Sequence, residues 1–356
     1  MIASAEMGNA AGDTAYLKSE LVKQISFAVL SFGIYLFLSS FPVSKLRLQF
    51  YYAGYIVILV LLLSTRLFSA VGGAYGWIRL GPVSIQPSEF AKTFIILFGA
   101  KLLGINNPET NKKNFITYAV AAAVYVLIIL VYQSDLGSAA VLAIIAYCIC
   151  LVPVNKEIVK IQRVMFLLML GVIALAVFMM TPLATKFLMH FSDDYKVGRF
   201  LAAADPFMFQ YDIGYHLIMS LVSFAQGGVL GLGYGNSIHK YMNFPNPSSD
   251  FILAVIVEEL GFVGFIVVVL LYLLILIPIM YYSTKTTYIS SKIILMGTFL
   301  YFVVHFILNV GGVSGFIPLT GVPLLIMSAG GSSLLSSLAA LGICQAEIER
   351  IKGKCA

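Results

Sequence analysis

The chain has 356 residues, 60% of them hydrophobic and 11% charged, with a mean hydropathy of +0.96. Soluble domains average about 25% charged residues, so a soluble enzyme with a single anchor is excluded and an all-α, polytopic membrane domain covering 1–356 is expected. The net charge of +6 and pI near 9.0 fit loops lying against anionic lipid, and no RNA- or DNA-binding pattern accompanies them.

Apolar runs of spanning length, about 17–25 residues, fall near 24–41, 50–68, 87–104, 115–132, 136–153, 163–181, 250–280, 290–310 and 322–345. Nine spans are therefore expected in one helical bundle. Placing the C-terminus in the cytoplasm puts thirteen of the 22 Lys and Arg residues on the inner side and eight on the outer, the bias that inner loops carry. Met1-Ile2-Ala3-Ser4-Ala5 leads into a polar stretch without the basic region and apolar core of a signal peptide.

The first notable outer loop, about 69–86, contains Gly72-Gly73, the only tryptophan, Trp77, and Arg79 and Gly81-Pro82. Arg79 suits either interfacial anchoring or a bidentate grip on phosphate. Gln86-Pro87-Ser88 then starts a helix with Pro87 in its first turn. Glu89 and Lys92 follow one turn apart on one face, where mutual pairing is the cheapest way to keep either charged in a membrane. A lined cavity would give the same pattern. Asp135, in Gln133-Ser134-Asp135-Leu136-Gly137, reads foremost as a helix cap. Cys148-Ile149-Cys150 lies mid-span and reads as packing, and no external disulfide framework is expected of the four cysteines.

The segment 182–249 is a large outer loop, carrying Asp193-Asp194, Arg199, Asp205-Pro206 and Asp212. Structureless connections of that length are usually functional. Arg199 invites the same two readings as Arg79. Leu217 to Leu232 is too short and too polar to span, and is expected to lie in the interface or re-enter part-way. Gly231-Leu232-Gly233-Tyr234-Gly235 mimics a phosphate loop but has no preceding strand, so a nucleotide site is rejected. The four histidines show no zinc-ligand spacing.

Asp250 ends this loop, where Ser248-Ser249-Asp250 runs into the apolar stretch Phe251 to Val257. As a cap it would begin a helix; as a carboxylate at the membrane boundary it would face a substrate. The two roles are compatible. Glu258 and Glu259 follow, Glu258 about 12 Å deeper at about 1.5 Å per helical residue. Carboxylates at such depth face a cavity, a partner or a substrate path. Adjacent residues are about 100° apart on a helix, so the two cannot share one neighbour, and at least one should turn towards a cation. Beyond the Gly- and Pro-rich segment Gly311 to Pro323, Ser328-Ala329-Gly330-Gly331-Ser332-Ser333 falls inside the last expected span. Its small residues permit close approach or a broken helix lining a cavity.

In chain order, Gly76-Trp77-Ile78-Arg79-Leu80-Gly81, Gln86-Pro87-Ser88-Glu89-Phe90-Ala91-Lys92, Gln133-Ser134-Asp135-Leu136-Gly137, and Asp205-Pro206 with Gly214-Tyr215 resemble the SEDS family (shape, elongation, division and sporulation proteins). The likeness continues through Gly233-Tyr234-Gly235-Asn236-Ser237, Asp250-Phe251-Ile252 with Glu258-Glu259-Leu260-Gly261, and Gly330-Gly331-Ser332-Ser333. It implies a peptidoglycan glycosyltransferase of the bacterial cytoplasmic membrane that polymerises lipid II on the outer face, beside a class B penicillin-binding protein. The family's essential loop aspartate maps onto Asp250, and its Glu–Lys pair onto Glu89 and Lys92. The family has ten spans, and Met1 to Ala5 looks like the tail of its first, which is expected to be missing. Ser134, His216, Asn246, Ser249 and Ala329 depart from the family pattern and leave elongation, division or sporulation open.

The chemistry so implied needs a base for a sugar 4-hydroxyl and cations for a leaving pyrophosphate. Asp250 is expected as base. Arg79, Arg199 and Lys240 are expected at the pyrophosphate, alone or with a Mg²⁺ or Mn²⁺ ion arriving on it, and Glu258 and Glu259 at the substrate. Asp135, Ser332 and Ser333, with Glu89 and Lys92, are expected to shape the cavity. The competing expectations are a lipid II flippase, which would use the intramembrane charges as a path, and a non-catalytic scaffold for the penicillin-binding protein.

Overall fold

The computed structural model describes residues 1–10, 14–41, 46–70, 73–81, 83–105, 108–153, 156–179, 181, 184, 195–211, 213–241 and 247–355. Among these the helices are α1 (Ile2–Ala10), α2 (Thr14–Ser40), α3 (Leu48–Ser64), α4 (Pro87–Leu103), α5 (Pro108–Leu127), α6 (Leu136–Leu151), α7 (Lys156–Met179), α8 (Tyr195–Ala204), α9 (Ile213–Gly227), α10 (Ile252–Lys285), α11 (Ile289–Val313) and α12 (Gly331–Cys355). Six stretches, in α2, α3, α5, α7, α10 and α11, are long and apolar enough to cross a membrane. This is a multi-pass membrane protein.

A helix stands in each of the nine expected apolar runs. Three of these fall outside the six: α4 with 17 residues, α6 with 16, and α12, whose sequence is rich in serine and ends in charge. The last run is displaced. Residues 322–330 are not helical and α12 begins only at Gly331, because Pro323 and the Gly330-Gly331 pair interrupt the pattern that apolar composition alone would extend. The all-α expectation also misses one small feature. Ile78–Leu80 (β1) and Val83–Ile85 (β2) form an antiparallel hairpin, with Arg79 opposite Ser84.

The chain divides into two compact units. One comprises 24–162, 274–304 and 330–356. Here α4 is central, packing against α3, α5, α6 and α12. Ala91, Ile95, Phe98 and Leu102 are buried on it along with Glu89 and Lys92, so it lacks the single apolar stripe of a surface helix. Pro87 opens α4 after the extended Gln86, and Asp135 caps α6 by accepting from the Ser138 amide at 3.0 Å.

The other unit comprises 1–23, 163–273 and 305–329. The described part of its loop region is structured. α8, a 3-10 turn at Pro206–Phe209 and α9 pack together, and Asp205 caps the turn through the Phe207 amide at 3.1 Å. The expected patch Leu217 to Leu232 is helical only to Gly227, since α9 ends at Gly227-Gly228. Asp193, Asp194, Asp212 and Asn246 lie outside the described residues.

α10 is not continuous. Gly261 takes φ 68° and ψ −166°, which frees carbonyls before it and amides after it. The turn after α9 fills the gap. Leu232 and Gly233 amides donate to the Glu258 and Glu259 carbonyls at 2.9 Å each, while Phe262 and Val263 amides donate to the Gly228 and Val229 carbonyls at 2.9 and 3.2 Å. A Cβ on Gly261 would stand 2.3 Å from the Val229 carbonyl oxygen. Gly261→Ala should therefore add the clash to a left-handed strain of about 1–3 kcal/mol. Thermal unfolding in detergent measures this, and an unchanged melting temperature would contradict the break.

Candidate functional site

Asp250 lies in the turn Pro247–Phe251 that precedes α10. The helix begins at Ile252, and the Phe251 carbonyl accepts the Ala254 amide at 2.9 Å. Phe251 thus takes the capping position, and Asp250 stands one residue outside it, half-buried. Asp250 lines a small, half-open cleft together with Asn309, Gly312, Leu319, Thr320 and Gly321. Gly321 has φ +66°, and a Cβ there would meet Asp250 Oδ2 at 3.6 Å, so glycine keeps the space beside the carboxylate clear.

The turn is held on both sides of Asp250. The Ser248 carbonyl accepts the Ala329 amide at 2.8 Å, and the Ser248 hydroxyl donates to the buried Glu6 carboxylate of α1. The Asp250 carbonyl accepts Asn309 Nδ2 at 2.8 Å, and the same nitrogen donates to the Val322 carbonyl at 2.8 Å. Arg199 reaches the same wall from α8, its Nη1 donating to the Leu319 carbonyl at 3.1 Å. Arg199 thus bonds a residue of the cleft wall without itself lining the cleft.

Lys240, Glu258 and Glu259 have a different setting from the substrate contact expected of them. Lys240 Nζ pairs with Glu259 Oε1 at 3.0 Å, both side chains being 0% exposed. It also donates to the Gly235 carbonyl at 2.7 Å and to Ser4 Oγ at 2.8 Å, and Ser4 in turn donates to Glu259. Glu258 accepts from the Ser237 hydroxyl at 2.6 Å and from the Ile238 amide at 2.9 Å, with His239 Nδ1 at 2.9 Å. Each glutamate has its own neighbour, as their angular separation requires. These bonds tie residues 235–240 to α10, while Glu259 Oε2 has no hydrogen-bond partner among the described residues.

In the other unit, Glu89 and Lys92 pair at 2.7 Å and are fully buried. The Tyr301 hydroxyl donates to Glu89 Oε2 at 3.1 Å, and Ser336 Oγ donates to the Glu89 carbonyl at 2.7 Å. Asp135 caps α6 and also accepts from Gln86 Nε2 at 3.1 Å. Ser332 accepts the Gln86 amide at 3.0 Å, and Ser333 donates to the Gly330 carbonyl within the first turn of α12. These residues build a satisfied polar seam around α4. Arg79 is exposed on β1, with Nη1 at 3.5 Å from Ser69 Oγ.

Among the described residues no three His, Cys, Asp or Glu side chains gather as metal ligands. Ser4, Glu6, His239, Tyr301, Asn309 and Thr320 were not singled out from the sequence. Only Asn309, an amide inside an apolar helix, carried a signal that could have been read.

The chain matches the cell cycle protein family that groups FtsW, RodA and SpoVE over residues 1–352. It belongs to that family. It is 32% identical over 325 residues to the probable peptidoglycan glycosyltransferase FtsW of Bacillus subtilis (strain 168), covering 89% of this chain and 78% of that protein. Against the peptidoglycan glycosyltransferase MrdB of Escherichia coli (strain K12) it is 31% identical over 292 residues, 81% of this chain and 75% of MrdB. Among solved structures it resembles a chain of a peptidoglycan synthase complex that coordinates polymerization and crosslinking, with TM-score 0.69, 26% identity and coverage of 97% and 92%. A single-substitution mutant of the rod shape determining protein RodA of Thermus thermophilus shares the fold, with TM-score 0.61 at 22% identity and coverage of 98% and 93%.

Breaking a buried ion pair from one side costs about 3–5 kcal/mol, whereas replacing both partners by apolar residues is often neutral. Lys240→Met should thus be strongly destabilised in detergent, and Lys240→Met with Glu259→Leu should recover most of the loss. A double variant as unstable as the single one would show that Lys240 serves some other anion.

Proposed function

We propose that this chain is a peptidoglycan glycosyltransferase that polymerises lipid II at the outer face of the bacterial cytoplasmic membrane. The names of its relatives support the activity. The observation that carries the site is Asp250, half-buried and lining a cleft with Asn309, Leu319 and Gly321, next to a wall residue that Arg199 bonds. In the proposed step the acceptor's 4-hydroxyl oxygen attacks the anomeric carbon of the donor, and its proton passes to Asp250. The bond from that carbon to the pyrophosphate breaks, and undecaprenyl diphosphate leaves with the electron pair. In-line attack on an α-linked donor gives a β-1,4 link, as in base-assisted inversion.

Arg199 is the proposed cation for the pyrophosphate, because a guanidinium offers paired donors to phosphate oxygens. Exposed Arg79 is the second candidate. A divalent cation would find one carboxylate at the cleft, that of Asp250, which suits an ion arriving on the substrate's phosphates rather than one held by the protein alone. No step is routed through it.

A flippase path is disfavoured by the intramembrane charges themselves. Glu89 pairs with Lys92 and Glu259 with Lys240, all four buried, so each of these charges already has a counter-charge. The likeness to a synthase complex that couples polymerization to crosslinking supports a class B penicillin-binding protein as partner. A positioned base contributes typically 10²–10⁴-fold. Purified Asp250→Asn protein, melting like wild type, should lose at least about a hundredfold in glycan formed from lipid II on a gel. Glycan made at the wild-type rate would end the assignment and favour a scaffold.

A further inference from the structure

From Phe251 to Glu259 every residue at the start of α10 is buried. Exposed apolar side chains begin only at the break. Leu260, Phe262, Val263, Ile266, Val267 and Leu270 are exposed, with the spacing of three and four that makes neighbours on one side of a helix. The exposed band runs on to Tyr281. At about 1.5 Å per residue, the stretch from Gly261 to Tyr281 rises about 30 Å, the thickness of a bilayer's hydrocarbon core. Tyr281, Tyr282 and Lys285 are the residue types that mark a membrane edge. The opposite edge therefore falls at the break.

The turn after α9 lies at that edge. Its Gly228 and Val229 carbonyls accept the Phe262 and Val263 amides, and the side chains of Val229 and Leu230 are 67% and 79% exposed. Residues 228–238 contain no Asp, Glu, Lys or Arg, and Lys240 beyond them is buried against Glu259. Among its described residues α9 exposes no large apolar side chain. The apolar surface of the patch Leu217 to Leu232 is thus gathered in the turn, not in the helix. Contiguous exposed apolar surface marks a contact with protein or membrane. Here main-chain bonds make it continuous with the exposed side of a membrane-crossing helix, which favours lipid. We infer that Val229 and Leu230 insert into the bilayer surface, in the outer leaflet for the orientation proposed above. The depth expected is about 5–10 Å, at the headgroup–acyl boundary where interfacial segments lie. So anchored, the loop that ends at Asp250 is held at a set height over the lipid.

The test places a fluorescent reporter on the turn. Leu230→Trp is made in Trp77→Phe protein, which leaves one indole in the chain. The protein is reconstituted in vesicles of phosphatidylcholine and phosphatidylglycerol, with bromine on the acyl chains near the carbonyl end or near the chain middle. Leu270→Trp, on the exposed side of α10, is the deep reference. The reporter at 230 should lose more emission to the shallow bromines than to the deep ones, and little to iodide in the buffer. The reference should show the opposite preference between bromines. Loss to iodide without loss to bromine overturns the inference, because the turn would then stand in water or await a protein partner. Loss to neither quencher overturns it too, and so does a preference for the deep bromines. Should Trp77→Phe protein melt early, wild-type emission is subtracted from that of Leu230→Trp alone, and Val229→Trp repeats the measurement under the same criteria. No lipid II enters the experiment, so its result is separate from the fate of the polymerase reading.

Discussion

Four main-chain hydrogen bonds between residues 228–233 and the break in α10 are what the functional end of this molecule depends on. Inside a bilayer a helix cannot simply stop, because each unsatisfied amide or carbonyl costs several kcal/mol. α10 interrupts itself at Gly261, and the turn after α9 supplies the missing partners. The loop is thereby fixed to the helix it leads into. Two glutamates just before the break add a second set of ties, and both sets act on the segment that ends at Asp250.

The buried charges follow from this. A carboxylate in hydrocarbon persists only with a partner, and Glu259 has Lys240 with Ser4 between them. Among the described residues Glu258 has no lysine or arginine bonded to it and is instead ringed by the Ser237 hydroxyl, the Ile238 and His239 amides and the His239 ring. Such an arrangement is worth little as net stability, since desolvation offsets much of the attraction. Its value is geometric. A loop closed by four apolar contacts could slide, whereas one closed by directional bonds to two fixed carboxylates has one register.

Local patterns were legible in the sequence and distant ones were not. Glu89 and Lys92 at i and i+3 behind Pro87 announced a pair on one face, and Asp135 before Leu136 announced a cap, because both depend on neighbours within one turn. The setting of Glu258 and Glu259 could not be read that way. It depends on Ser4, Ser237 and Lys240, brought in by a fold that breaks the helix at a glycine indistinguishable in sequence from Gly264 on the same helix. The last span was misplaced for a related reason: Leu324 and Leu325 are buried and look like span residues, yet their backbone runs non-helically past Asn309. The hairpin at 78–85 was too short for any periodicity to show. For the site itself, Asp250 stood out by its place at the end of a polar loop and Asn309 as an amide inside an apolar helix, whereas the bond between Asn309 and the Asp250 carbonyl is set only by the fold.

The anchoring of Asp250 also bears on how a turn could seat the proposed base. Catalytic groups on loops are less well placed than groups on helices unless their backbone is held. Here the Ser248 carbonyl is bonded to Ala329, the Ser248 hydroxyl to Glu6, and the Asp250 carbonyl to Asn309. With the peptide fixed at both ends, the freedom that remains to Asp250 is largely that of its two side-chain torsions. Misplacement by about 1 Å can cost a hundredfold in rate, so bonds that never touch substrate bear on the chemistry through the angle at which one carboxylate enters the cleft. The helix start supplies direction and the glycine at 321 supplies room. The carbonyl clamp holds the group still.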